Sequence, residues 1–269
     1  MGCCGSKKTT AVEPEPEPEK EVVAAEPPKP PPQDEILGRS QWANGARYVG
    51  DFKNAMRHGQ GTFTWANGDV YEGEWKEDVC DGRGVLISAN GDKYEGDFRG
   101  GVKEGQGQKR WTNGDVYDGQ WRGGQQEGVG TFVMGDGPNH GCKYTGQWRA
   151  GRREGEGTFT WADGSKYVGT WSSNLKEGHG ELTLTSGDTY VGQFKQDKKH
   201  GRGRFCWGEG PWKGHEYDGE WNMDRMEGKG QYTTAKNSGT FYISDGNSAS
   251  PSKGPQSMTP AGSMLPAGA

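Results

Sequence analysis

Aromatic residues and glycines alternate with polar residues through the middle of the chain. In the stretch Tyr71-Glu72-Gly73-Glu74-Trp75, every second position is aromatic or glycine, which is the period of two typical of a half-buried β-strand. The loop Lys76–Asp81 follows, and a second alternating run comes after it. Asn67-Gly68 precedes the stretch, and such dipeptides admit the positive φ angles of a hairpin turn. The pattern predicts a β-hairpin.

The hairpin pattern occurs eight times in register. Its tyrosines are spaced by 23 residues, or by 27 residues after Tyr117 and Tyr190, and glycines recur at offsets 2, 11 and 13 from each tyrosine. A fixed period of this length marks a repeat architecture. The tyrosines, each followed by the aromatic residue four positions later, are Tyr48, Phe52, Tyr71, Trp75, Tyr94, Phe98, Tyr117, Trp121, Tyr144, Trp148, Tyr167, Trp171, Tyr190, Phe194, Tyr217 and Trp221.

The regular glycines need a physical reason, because glycine normally weakens a strand. A glycine leaves a hollow in which a neighbouring ring can lie flat. We therefore expect aromatic residues and glycines on one face of a sheet and charged residues on the other. The insertions around Gly137–Gly141 and Gly210–Gly214 are expected at turns, where extra length is tolerated. The segment Trp42–Tyr48 matches the end of a repeat, so the array opens with half a repeat that supplies one strand.

The motif Tyr-x-Gly-x-Trp followed by Gly-x-Gly resembles the MORN repeat, the "membrane occupation and recognition nexus" family. The resemblance covers roughly residues 42–240. It implies an all-β fold, an elongated single-layer antiparallel β-meander of tandem hairpins. About 16–17 strands at ~4.8 Å spacing would give a rod near 75–80 Å long. A single layer would leave the sixteen rings half exposed, and an apolar patch of that size usually marks an interface.

Composition divides the chain into four segments. Leu, Ile, Val and Phe total only 30 of 269 residues, so a core must be thin and built repeat by repeat. Residues 40–240 form the predicted array, and residues 241–269 are predicted to be a disordered tail rich in Ser, Gly, Pro and Ala. Residues 11–39 are a Glu/Pro-rich spacer, predicted to be disordered and extended because proline fixes φ and the acids repel one another.

Residues 1–10 carry a lipidation signal. Gly2 with Ser6 fits the N-myristoylation pattern, and Cys3 and Cys4 are candidate palmitoylation sites. One myristoyl chain binds a membrane only marginally, and a second acyl chain makes the binding stable. The alternative is an unmodified N-terminus with two free thiols. If the sites are used, the protein lies at the cytoplasmic face of a plasma, flagellar or ciliary membrane in a eukaryotic cell.

Charge and candidate chemistry narrow the function classes. The net charge of −5 gives no reason to expect a nucleic-acid partner. Five cysteines without metal-type spacing give no reason to expect a metal site or cofactor. The carboxylates at offset 10, such as Glu104 and Glu154, recur on successive loops and are interpreted as a structural row. Since we find no nucleophile–base constellation, we predict a protein that is not an enzyme.

Three functional hypotheses remain. The first is an acyl-anchored scaffold whose aromatic face binds protein partners or forms a homodimer. The second is direct binding of phospholipid head groups such as phosphoinositides by Arg149, Arg152, Arg153, Lys195, Lys198, Lys199, Arg202 and Arg204. The third is a structural part of a cilium, a flagellum or the cortical cytoskeleton, because similar arrays occur in axonemes and parasite cytoskeletons. The sequence does not choose among them.

Overall fold

The structure is a computed structural model that describes residues 38–234, 238–243 and 259–260. Within these residues the chain forms seventeen β-strands up to Thr233 and two further strands beyond it. Their bounds are β1 Arg39–Gln41, β2 Arg47–Lys53, β3 Met56–Thr64, β4 Val70–Lys76, β5 Val79–Ile87, β6 Lys93–Arg99, β7 Val102–Arg110, β8 Val116–Arg122, β9 Gln125–Val133, β10 Lys143–Arg149, β11 Arg152–Thr160, β12 Lys166–Ser172, β13 Leu175–Thr183, β14 Thr189–Lys195, β15 Lys198–Cys206, β16 Glu216–Asn222, β17 Arg225–Thr233, β18 Ser238–Ile243 and β19 Thr259–Pro260.

Each strand pairs antiparallel with the next strand in the chain, from β1–β2 to β18–β19. The result is one open sheet, and the prediction of an all-β antiparallel meander is confirmed. Strand β1 supplies the predicted half repeat and pairs through Ser40 with Tyr48 of β2. Strand β18 crosses residue 240, where the array was expected to end, and continues the sheet to Ile243.

The two ends of the hairpins use different turns. Strands β4 and β5 are joined by Glu77-Asp78 alone, with φ angles of 49° and 72°. Positive φ at both residues is the geometry of a type I′ turn, whose twist matches that of the flanking strands. The predicted loop Lys76–Asp81 was therefore too long, because Lys76 ends one strand and Val79 begins the next. We call the side of the ribbon that carries these turns the tight-turn edge.

The opposite edge carries the Asn-Gly turns. The N–H of Gly68 donates to the carbonyl of Trp65 at 3.0 Å, and the N–H of Trp65 donates to the carbonyl of Asp69 at 2.9 Å. In that dipeptide only Gly68 has positive φ, at 96°. The two insertions lie at this edge, between β9 and β10 and between β15 and β16, where a 3₁₀ helix spans Gly210–Trp212. Their predicted placement at turns is confirmed.

Candidate functional site

The face that carries the aromatic rings is built on pairs of glycines. Tyr71 lies over Gly73 and Gly84, which face each other on β4 and β5. A Cβ atom added to Gly84 would lie 2.4 Å from the Tyr71 hydroxyl oxygen and 2.5 Å from two ring carbons. The Tyr71 hydroxyl donates to the Glu74 carbonyl at 3.0 Å. The expectation that rings lie flat over bare backbone is therefore confirmed, and all eight repeats share the arrangement.

The rings interlock from one end of the array to the other. Tyr71 contacts Trp75 of its own repeat edge to face at 5.2 Å between ring centroids, and it contacts Phe98 of the next repeat in the same way at 5.0 Å. The series is unbroken from Phe52 to Tyr217. Such pairs stabilise by about 0.5–1.5 kcal/mol each beyond the area they bury. Neighbouring repeats are thus held together by the same rings that fill each repeat.

The expectation of a half-exposed aromatic face is wrong for fifteen of these sixteen rings. All eight tyrosines are at most 2% exposed, and every phenylalanine and tryptophan of the set except the half-buried Phe52 is at most 6% exposed. The reason is that each tyrosine is covered below by glycines, and each of the first seven is also flanked by rings of its own and the next repeat. A partner therefore does not reach these side chains in the folded ribbon, and any interface on this face uses other residues.

Three half-buried tryptophans border this face and replace the buried rings as candidate contact residues. Trp65, Trp111 and Trp161 lie seventeen positions after a repeat tyrosine and remain partly exposed. Trp65 contacts the buried Phe63 at 4.7 Å, and Trp161 contacts the buried Phe159 at 4.8 Å. We call these three residues the rim tryptophans. They continue the buried rings out to the surface near the Asn-Gly edge.

Cations also lie on the aromatic face, which the sequence analysis missed. Nine positions after the tyrosine, Arg57 is 2% exposed, with its guanidinium carbon 4.5 Å from the centroid of the Trp75 ring. Arg153 is placed in the same way over Trp171 at 4.5 Å. Because the turn has only two residues, the alternation of the second strand directs the ninth position after the tyrosine toward the rings. The sequence analysis placed this position in a six-residue loop and therefore did not predict its direction. The same position is occupied by Lys103, Lys176 and Lys199 in three further repeats.

The eight predicted head-group contacts separate into two groups. Arg153 and Lys199 point into the aromatic face, and burial lowers the pKa of Lys199 while Asp224 beside it opposes that shift. Arg153 is buried, and the half-buried Lys199 directs its ammonium to the Tyr190 ring, so the selection of these two residues as lipid contacts is corrected. Arg204 is exposed and forms an ion pair with Glu216. The exposed residues of the set are Arg149, Arg152, Lys195, Lys198, Arg202 and Arg204.

Exposed cations follow the tight-turn edge in a row. They occupy the last position of the first strand of a repeat or the first position of its second strand, so that Arg149 pairs with Arg152 and Lys195 with Lys198 across the turn. The row begins with Lys53, Lys76 and Arg99, all exposed. We call its second half the basic edge, defined as Arg122, Arg149, Arg152, Lys195 and Lys198.

The carboxylates at offset 10 have a structural role, as predicted. Glu127 accepts a hydrogen bond at 3.0 Å from the backbone N–H of Ala150, in the tight turn of the next repeat. Glu154 accepts one at 2.9 Å from Ser173 in the same way. Asp81, Glu104 and Glu177 repeat the contact. Each carboxylate therefore connects its repeat to the next turn.

Reactive side chains are few among the described residues. Burial raises the pKa of the Cys80 thiol to about 12, and the nearby Arg57 opposes that shift only in part, so this thiol is protonated at neutral pH. Residues 38–234 contain no group of three or more His, Cys, Asp and Glu side chains arranged to hold a metal ion. No helix in the described part of the chain is long and apolar enough to cross a bilayer. The lipidation candidates Gly2, Cys3 and Cys4 lie outside the described residues.

These features define a repeat protein, a ribbon of stacked β-hairpins in which each repeat buries its rings against the next. The family model for the MORN repeat matches residues 48–70, 71–93, 94–116, 117–138, 144–166, 167–189, 190–211 and 217–239. These matches cover more than half of the chain, and the chain belongs to the MORN-repeat family. Proteins of this family are generally non-enzymatic.

Comparisons with individual proteins add little. No curated protein matches the chain. Among solved structures, the TCP domain of SAS-4 (dCPAP) from Drosophila melanogaster, in complex with a proline-rich motif of Ana2 (dSTIL), is 10% identical with a TM-score of 0.28 over 78% of this chain and 94% of that one. The G-box domain of the microcephaly protein CPAP is 12% identical with a TM-score of 0.26, over 75% and 96%. A streptogramin B lyase is 9% identical with a TM-score of 0.19, over 77% and 82%. At these TM-scores the similarities carry no argument about function.

Proposed function

We propose that this MORN array is a non-catalytic scaffold tethered to a membrane by its acylated N-terminus. Myristate on Gly2 and palmitate on Cys3 and Cys4 would hold the chain at the cytoplasmic face, and the Glu/Pro-rich spacer would separate the ribbon from the lipid. The array itself would bind protein partners or a second copy of the chain. Its rigid, repeated surface suits a protein that positions others and performs no reaction.

The observation that carries this proposal is the row of rim tryptophans. A half-buried tryptophan combines a large apolar area with a side chain already held by its neighbours, so binding costs little conformational entropy. Trp111 is held against Phe132 at 5.7 Å between ring centroids. Trp65 and Trp161 are held in the same way, one near each end of a stretch of five repeats. Tryptophan is one of the residue types that are enriched among the few side chains that dominate binding at protein interfaces.

The test of the interface compares two faces of the same ribbon. We expect Trp111→Gln combined with Trp161→Gln to abolish partner capture by the full-length protein, or its self-association measured by light scattering. The matched control is Val129→Gln, because Val129 is 59% exposed in strand β9 on the face opposite the rings. The control is expected to retain binding. Equal loss in both variants, or a wild-type monomer that captures no partner, contradicts the proposal.

The test of the anchor is independent of the interface. We expect Gly2→Ala to release the protein from the membrane, since without myristate the chain loses the first of its two acyl groups. Imaging of the wild type beside Gly2→Ala in the same cells measures this. Unchanged localisation would show that the lipid does not decide where the protein lies. The images would also distinguish a ciliary or flagellar location from the cell cortex, where a cytoskeletal role is expected.

A second candidate function is recognition of anionic phospholipid head groups, including phosphoinositides, by the basic edge. Its five cations are exposed on one edge, and each Lys or Arg near an anionic leaflet contributes about 1 kcal/mol. Flotation of the protein without residues 1–10 on phosphoinositide-containing liposomes tests it. Arg149→Gln combined with Arg152→Gln is expected to weaken flotation, whereas absence of flotation in the parent protein would leave the acyl anchor as the sole membrane contact.

A further inference from the structure

The basic edge has few acidic neighbours. In the first repeats an acid precedes the exposed cation by two positions, as Glu74 precedes Lys76. From Arg122 to Lys198 that position carries the uncharged Gln120, Gln147, Thr170 and Gln193. Within residues 38–234, none of the five basic-edge cations takes part in an ion pair.

The acids that do lie along this edge have other partners. Glu127 and Glu154 accept hydrogen bonds from the next tight turn. Asp197 accepts a hydrogen bond from the backbone N–H of Lys176, and its carboxylate lies 3.7 Å from the Lys176 ammonium. Glu127, Glu154, Glu177 and Asp197 keep their negative charges, but the five cations of the basic edge outnumber these four carboxylates. The edge is therefore net positive, which suits an extended acidic partner.

The described chain begins near the tight-turn edge of the sheet. The N–H of Gly50 donates to the carbonyl of Gly38 at 2.9 Å, and Arg39 pairs with Val49. Strand β2 continues from Val49 to Lys53 at that edge. Gly38, the first described residue, therefore lies beside Gly50, three positions along β2 from Lys53, where the row of cations begins.

The sequence that precedes Gly38 has the complementary charge. Residues 11–35 contain eight Asp and Glu against two Lys. Five of the acids lie between Glu13 and Glu21, where glutamate alternates with proline up to Glu19. Proline fixes φ, so an extended segment of this kind loses less conformational entropy when it is held against a surface. We call residues 13–21 the acidic segment.

The intervening chain is long enough to join the two. From β1, which directly follows Gly38, to β14, the strand of Lys195, there are thirteen strand steps, or about 62 Å at ~4.8 Å per step. Glu17 lies twenty-one positions before Gly38, and a chain of that length reaches about 65 Å at ~3.1 Å per residue in an extended polyproline conformation. An extended path reaches Lys195, and a more relaxed path reaches Arg149.

We propose that the acidic segment docks on the basic edge of its own array. Attachment to the same chain gives the segment an effective concentration in the millimolar range, so individually weak surface ion pairs suffice. The occupant of the basic edge in this proposal is the acidic segment of the same chain. Docking depends on charge and chain length alone, and it is expected whether or not Gly2 is acylated.

Zero-length carbodiimide crosslinking of the full-length protein, read by mass spectrometry, tests the proposal. Lys195 and Lys198 are the reporters, and Lys143 and Lys166 are matched controls, equally exposed but at the Asn-Gly edge. We expect the acidic segment to link to the reporters about five times more often than to the controls at low salt, as a free energy near 1 kcal/mol gives. At about 1 M salt, where the Debye length is ~3 Å, this preference is expected to vanish.

Two further arms keep the result unambiguous. The first arm is a variant that combines Glu13→Gln, Glu15→Gln, Glu17→Gln and Glu19→Gln and changes no residue of the described sheet. In this variant, the crosslinks that Glu21 still forms to Lys195 and Lys198 are expected to become as rare as those to the control lysines. An equal mixture of ¹⁵N-labelled and unlabelled protein is expected to give links within one isotope only. Links spread evenly over the four lysines, a preference that survives high salt, or mixed-isotope links would each overturn the proposal.

Discussion

A methyl group added at Gly130 tests whether the rings require bare backbone. Its Cβ atom would lie 2.4 Å from the Tyr117 hydroxyl oxygen and 2.5 Å and 2.6 Å from two ring carbons. Tyr117 is fully buried between Trp121 at 5.1 Å and Trp148 at 5.3 Å. The ring therefore has no free space on either side, and Gly130→Ala forces it to move or the strand to bend.

The expected cost follows from what the displaced ring loses. Overpacking a filled site costs about 1–3 kcal/mol. The hydrogen bond from the Tyr117 hydroxyl to the Gln120 carbonyl, 2.9 Å long, contributes about 1 kcal/mol. Weaker edge-to-face contacts with both tryptophans add to this. We expect Gly130→Ala to lower the free energy of unfolding by about 3 kcal/mol, or about 1.5 M in urea midpoint for an m-value near 2 kcal/mol/M.

Gly123→Ala is the matched control for this substitution. A Cβ atom at Gly123 has nothing within 4 Å, and the next repeat carries Ala150 at the same turn position with φ of 48°. Only the cost of the left-handed backbone remains, about 1 kcal/mol. Urea unfolding of the full chain, followed by tryptophan fluorescence and circular dichroism, gives both values. If Gly130→Ala shifts the urea midpoint no more than Gly123→Ala does, the tyrosine rings do not require bare backbone beneath them.

Two further predictions follow from burial. Burial raises the pKa of all eight repeat tyrosines. Their contribution to stability is therefore complete below the unfolded-state pKa near 10, and above it the contribution falls by up to ~1.36 kcal/mol per tyrosine per pH unit. In a pH titration, tyrosinate absorbance that rises before circular dichroism is lost would contradict this. Cys80, whose buried thiol has a pKa raised to about 12, is expected to be alkylated far more slowly at pH 8 than the half-buried Cys206, and equal rates by mass spectrometry would disprove it.

Most of the fold was predictable because its signals are local. The alternation in Tyr71–Trp75 defines a strand, and the fixed offsets of glycine relative to tyrosine define which face is buried. Turn length was predicted less well, because both residues of a type I′ turn accept many side chains in this chain. Glu77-Asp78 contains no glycine, so its strained φ angles leave no mark in the sequence. Because a six-residue loop was predicted there, the sequence analysis did not show that Cys80, like Arg57 and Arg153 at the same position of their repeats, points toward the rings.

The exposure of the candidate surfaces depended on neighbouring repeats. Whether Tyr117 is exposed depends on Trp148, which lies one repeat further along the chain. In the same way, Arg152 and Arg153 are adjacent in sequence, yet Arg152 is exposed and Arg153 is buried against the rings. Composition treats the two arginines alike, and only the registered sheet separates them.

The family, the meander of hairpins and the role of the glycines could all be inferred from the amino-acid sequence, because each depends on spacings of a few residues within one repeat. Which rings are closed to partners, which cations face solvent, and near which edge the described chain begins became visible only in the folded sheet. Those properties arise where one repeat packs on the next, and contacts between repeats fix them.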